Sequence, residues 1–205
     1  LINNSYFSEN SADSFIYTKY LTEVPHVMEL TRASIPQRGG AIAGESNNVV
    51  VCNSVFENNV LSSFYDAYFD YPTFRRVSSG GAIDIIGNNL VVDNCIFNNN
   101  SADVGGAVSF AGDNISFSGN NFTHNSAYTG GALYSGIGED DMDYYGTTVY
   151  VIHHDIKISD CLFRQNCLNP RDVSIKNDYI PGFVQYEFSY AGGAVYLDMN
   201  NASIS

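Results

Sequence analysis

The sequence predicts an all-β fold, a parallel β-helix (solenoid) of about five coils of ~25 residues with four Tyr/Phe-rich loop insertions. Two interlocked signatures and one alternation predict it. The first signature is Gly-Gly-Ala followed by Ile, Leu or Val, at Gly39-Gly40, Gly80-Gly81, Gly105-Gly106, Gly130-Gly131 and Gly192-Gly193. The second is Phe-x-x-Asn, at Phe7/Asn10, Phe56/Asn59, Phe97/Asn100, Phe122/Asn125 and Phe163/Asn166. The alternation lies seven and five residues before Phe: Val49/Val51, Leu90/Val92, Ile115/Phe117 and Ile156/Ile158. Apolar residues two apart mark a strand with one buried face.

The spacings define the unit. From Gly-Gly to the next Phe is 17 residues in three of four cases, and the shortest return from Phe to Gly-Gly is 8, a unit of 25. The segment after Gly-Gly alternates as well, in Ile83/Ile85, Val108/Phe110 and Val195/Leu197. Each unit therefore offers three short strands: after Gly-Gly, ending five residues before Phe, and around Phe. Equivalent positions of successive coils would stack about 4.8 Å apart. Nothing recurs at helical spacing, which excludes a helical solenoid. A propeller blade needs about 40 residues and four strands, more than the units at 97–121 and 122–146 hold.

Each signature residue then has a structural reason. Adjacent glycines suit a corner that needs positive φ or a close backbone approach. The alanine leaves room for a tight bend. Phe fills the interior against the Phe above and below. Asn satisfies backbone groups at a turn, tolerates the left-handed region, and would form a ladder when stacked.

Composition narrows the partners. The net charge is −13, with 9 basic against 22 acidic residues. That balance argues against nucleic acid or an anionic membrane as partner. No apolar run approaches the ~18 residues of a membrane span. No signal peptide is visible and the first residue is Leu1, so a processed or partial product is expected. Residues 1–205 read as one β-helix segment of a longer solenoid, because neither end carries the polar cap that hides an open core.

Insertions interrupt the units at about 13–36, 62–79, 136–151 and 169–190. They are dense in aromatics, among them Tyr17, Tyr20, Phe64, Tyr65, Tyr68, Tyr144, Tyr179 and Phe188. Such loops either pack on the solenoid as a satellite core or form a contact surface for protein or glycan. Asn-x-Ser/Thr sequons at Asn3, Asn99, Asn114, Asn121 and Asn201 are candidate N-glycosylation sites, and they point to a secreted chain. Cys52, Cys95, Cys161 and Cys167 are candidates for one or two disulfides, Cys52 with Cys95 across adjacent coils and Cys161 with Cys167 around a turn.

Candidate chemistry is sparse. The acidic run Glu139-Asp140-Asp141-Met142-Asp143 with His153-His154-Asp155 fits no Zn or EF-hand spacing, so no cofactor is expected beyond weak Ca2+ binding. Asp140, Asp141, His153 and Arg171 would be a sugar-cleaving set only if paired carboxylates lined a groove. Asp84, Asp93 and Asp198 are the coil carboxylates by which such a groove is to be judged.

The paired Gly-Gly-Ala-[Ile/Val/Leu] and Phe-x-x-Asn repeats resemble those of the chlamydial polymorphic outer membrane proteins, from Phe7 to Ala194. The resemblance implies a right-handed parallel β-helix of a surface adhesin, and no catalytic residues. The Tyr-rich insertions and the sequons depart from a bacterial adhesin and tilt toward a eukaryotic microbe. The expected function is a non-enzymatic extracellular structural or adhesive module of a cell-surface or filamentous assembly. Its partners would be other protein chains, through the aromatic insertions or the open ends, and glycans. The alternatives are a polysaccharide-processing enzyme, lyase- or hydrolase-like, and a glycan-binding module.

Overall fold

A computed structural model describes residues 1–13, 16–18, 32–34, 38–62, 78–136, 155–168, 192–197 and 202–205. The chain is all-β with parallel sheets, and no helix occurs among the described residues. Three sheets carry the structure, and each takes one strand from each repeat unit in chain order.

The Gly-Gly sheet contains Ile42–Glu45, Ile83–Ile86, Val108–Ala111, Leu133–Ser135 and Val195–Leu197. The Val sheet contains Ile2–Asn3, Val50–Cys52, Val91–Asp93, Ile115–Ser118, Ile156–Ser159 and Ala202–Ile204. The Phe sheet contains Tyr6–Ser8, Val55–Glu57, Ile96–Asn98, Asn121–Thr123 and Leu162–Arg164. Register is common to all three. Ile42 pairs Ile83, Val51 pairs Val92 and Phe56 pairs Phe97, a step of 41 residues each time. The next step, Ile83 to Val108, Val92 to Phe117 and Phe97 to Phe122, is 25. This arrangement is compatible with the parallel β-helix expected from the repeats.

Two further ladders are shorter. Val60, Ser101 and Ser126 follow one another in parallel bridges just after the Phe sheet, and so do Arg38, Ser79, Val104 and Thr129 just before the Gly-Gly sheet. Ser78 and Ser79, expected inside the insertion at 62–79, thus belong to the repeat. Within the insertion at 13–36, Ile16–Thr18 pairs antiparallel with Arg32–Ser34. The insertion at 169–190 lies outside the described residues, as does that at 136–151 apart from Gly136.

One apolar cluster lies between the sheets. Period-2 alternation feeds it: Val51, Val92, Phe117 and Ile158 point inward from the Val sheet, and all are buried. Phe7, Phe56, Phe97, Phe122 and Phe163 form one continuous stack. Successive ring centroids lie 5.0, 4.9, 4.8 and 4.9 Å apart, with planes within 6°. That separation equals the ordinary spacing of paired strands.

The turns explain the wealth of Asn. Besides the first glycine of each pair, left-handed backbone recurs at three corners of the unit: Asn48/Asn89/Asn114/Asp155, Asn4/Asn53/Asn94/Asp160 and Glu9/Asn58/Asn99/His124/Gln165. Asn adopts this region more readily than most side chains do. The Phe-x-x-Asn asparagine itself is not left-handed; the residue before it is. The expectation of positive φ was therefore one residue out of place.

Replacing Phe97 by Ala opens the stack at its middle and should cost about 3–5 kcal/mol. Ser116→Ala, on the outer side of the Val sheet, should change stability by less than about 0.5 kcal/mol. Denaturant unfolding followed by circular dichroism measures both.

Candidate functional site

The signature residues are the first place to look for chemistry, and their bonding capacity is used internally. Gly105 has φ +59°, and its neighbour Gly106 faces the backbone of the next unit so closely that a Cβ would run into the Gly131 carbonyl oxygen. The two glycines therefore serve different needs, one conformational and one steric.

The asparagines form a buried ladder. Asn100 Oδ1 accepts from the Asn59 backbone N–H (3.0 Å) and from Asn59 Nδ2 (2.8 Å). Asn100 Nδ2 donates to the Phe56 carbonyl (3.0 Å) and to Asn125 Oδ1 (3.0 Å). Asn125 repeats the pattern with Asn166 (2.9 Å) and the Phe97 carbonyl (3.0 Å). All four hydrogen-bonding sites of the Asn100 amide are filled, so it has none left for a ligand.

An ionic cluster lies on the outer side of the Gly-Gly sheet, and sequence reasoning missed it. Asp84 is aligned with Ala43 and Ser109, yet it is only 3% exposed. It accepts from Ser79 Oγ and, at 3.0 Å, from Arg38 Nη2; Arg38 Nη1 reaches Glu45 at 3.1 Å. Burial pushes the Asp84 carboxyl above its usual range, opposed by hydrogen bonds from Arg38 and Ser79 and by the Arg38 charge. Arg38 and Ser79 stand at the borders of two insertions and bind the sheet through Asp84. An acidic residue at a strand's outer position was the available signal, but nothing in the sequence marked Arg38 as its partner. Next along the same outer row, Tyr134 and Tyr196 stack at 5.3 Å beside Val104.

The outer side of the Phe sheet is open. Tyr6, Ile96 and Leu162 are 63%, 43% and 54% exposed. In the adjacent row Glu57 accepts from Asn98 Nδ2 (2.9 Å) and from the Tyr6 hydroxyl (2.8 Å). Those bonds, Asn98 first, lower its carboxyl below the usual range.

All four cysteines are free, so neither expected disulfide is formed. The thiols of Cys95 and Cys161 donate instead to the carbonyls of Asp93 (3.3 Å) and Ser159 (3.2 Å). Ser54 uses its hydroxyl the same way on Cys52 O, at 2.8 Å. The position wants a small turn donor, which cysteine and serine both supply. Burial pushes the Cys95 thiol up to about 11 and raises Cys161, so neither is a reactive thiolate near neutral pH.

Asn3, Asn99 and Asn114 are exposed, the last two at left-handed corners. Asn121 is half-buried within a strand of the Phe sheet, and Asn201 lies outside the described residues. Asp140, Asp141, His153, Arg171 and Asp198 are also outside them. Asp93 is on the outer side of the Val sheet, a different sheet from that of Asp84. Among the described residues no group of three or more His, Cys, Asp or Glu could hold a metal ion, and no helix is long and apolar enough to cross a membrane. Comparison with family models, curated proteins and solved structures gave no match.

Arg38→Ala leaves Asp84 buried without its cation, which should cost about 1–3 kcal/mol at neutral pH. The folded-state pKa of Asp84 is raised, so its ionisation removes stability as pH rises through that value. Losing Arg38 raises it further. The gap between wild type and variant should therefore be small below the ordinary carboxylate range and widen toward neutral pH. Unfolding midpoints measured across that range check the sign.

Proposed function

We propose that this chain is a segment of a right-handed parallel β-helix, about five coils of ~25 residues within 1–205, set in a longer solenoid. Its function is that of a non-enzymatic structural or adhesive module, outside the cell or at the cell surface, similar in repeat type to the polymorphic outer membrane proteins. The observation that supports this reading is the internal use of the repeated residues. Phe stacks on Phe, Asn bonds to Asn, and glycine makes way for backbone. A side chain so engaged builds length and stiffness, which are properties of a rod.

The carboxylates support the non-enzymatic reading over the polysaccharide-processing one. A glycosidic pair must flank one bond. Asp84 is bound to Arg38 and Ser79, and Asp93 sits on another sheet. Contacts with other chains and with glycans would fall to the aromatic insertions and the outer faces, where the repeat leaves side chains free to vary.

Glycopeptide mass spectrometry on protein from the cells that make it tests the extracellular part. Asn3, Asn99 and Asn114 should carry sugar more fully than Asn121, whose side chain is half-buried in a strand. A native protein with no sugar on any sequon would remove the secreted-glycoprotein reading.

A further inference from the structure

The outer side of the Phe sheet presents two rows of side chains. One row is Tyr6, Val55, Ile96, Asn121 and Leu162; the other is Ser8, Glu57, Asn98, Thr123 and Arg164. Among the described residues, six large apolar side chains are exposed, and three of them, Tyr6, Ile96 and Leu162, stand in this first row. An exposed row that is apolar apart from Asn121 marks a surface that is covered in use. The second row carries one charge of each sign, Glu57 in the second unit and Arg164 in the fifth. Asn98 and the Tyr6 hydroxyl hold the Glu57 carboxylate against the face. Arg164 is exposed and has no ion-pair partner among the described residues.

We propose that this face is a two-fold contact surface for a second copy of the chain, the two Phe sheets packed face to face with their stacking directions opposed. A two-fold contact must be self-complementary, and the second to fifth units of these rows meet that requirement, Tyr6 in the first unit lying beyond the overlap. With the axis parallel to the strands, like rows face each other and the order of units reverses. With the axis centred between the strands of Phe97 and Phe122, the second unit of one copy meets the fifth of the other. Glu57 then meets Arg164 of the second copy, and the pair occurs twice. In the apolar row Val55 meets Leu162 and Ile96 meets Asn121. With the axis midway between Glu57 and Arg164, one face supplies both charges of the pair. The inference rests on the stacked-unit reading and adds a partner and a face to it.

Asn121 stands in the apolar row, so a sugar there would cover the face; the test therefore uses the 205-residue chain made without glycosylation. Sedimentation equilibrium gives the association constant and circular dichroism reports whether the sheets form. The wild type should dimerise. Glu57→Arg and Arg164→Glu should each weaken it by about tenfold, since each sets two like-charge contacts in a dimer. The double variant should regain the wild-type constant. An equimolar mixture of the two single variants should form a heterodimer stronger than either homodimer. Leu162→Asp should abolish association while keeping the β spectrum. A monomer with an intact β spectrum overturns the proposal and leaves the rod reading standing, and so does a dimer indifferent to these changes. Loss of the β spectrum in the wild type overturns both.

Discussion

The spacing of parallel strands governs this molecule. Strands pair about 4.8 Å apart, and every side chain that repeats must tolerate its own copy at that distance. Phe can do so: its rings lie 4.8–5.0 Å apart and nearly parallel from Phe7 to Phe163. Asn can do so because its amide has a donor end and an acceptor end, so each copy satisfies the next. A buried charge cannot, and Asp84, a buried carboxylate bonded to a cation, has uncharged Ala43 and Ser109 as its row neighbours.

The same constraint explains which residues are strict and which are loose. At the corner before the Phe strand the structure accepts Ser5, Ser54, Cys95, Asn120 or Cys161, since each offers a polar side chain to a nearby carbonyl. At the corner after it, Glu9, Asn58, Asn99, His124 and Gln165 all take positive φ, so the demand there is on the backbone and is met at a small cost in strain. The second glycine of the first four pairs, Gly40, Gly81, Gly106 and Gly131, has no such latitude. At Gly106 the neighbouring backbone occupies the place of a Cβ.

Much of the three-sheet pattern was legible because period and phase are properties of a one-dimensional string. Phe97 predicted its pairing with Phe122, and Val92 its place beside Phe117. What escaped were relations across unlike positions. Arg38 and Asp84 are 46 residues apart and occupy different parts of the unit, so no internal comparison aligns them. Cysteine has two common uses, disulfide partner and small turn donor, and only geometry separates them at Cys95. The outer rows of the Phe sheet follow from the inward Phe only when the strand around it is extended. Ile96 and Leu162 look like core residues in a string, and become surface residues once Phe97 and Phe163 are known to point inward.

Insertions fit this scheme for an energetic reason. The step from Ile42 to Ile83 is longer than that from Ile83 to Val108, yet the register of all three sheets is unchanged. Closing a longer loop adds only about 0.6 kcal/mol per doubling of its length, whereas a slip of one residue would turn Phe97 outward and Ile96 inward. Variation is therefore cheap between Ser62 and Ser78 and costly inside any strand. The insertions and the outward positions can therefore change while the register of the three sheets is kept.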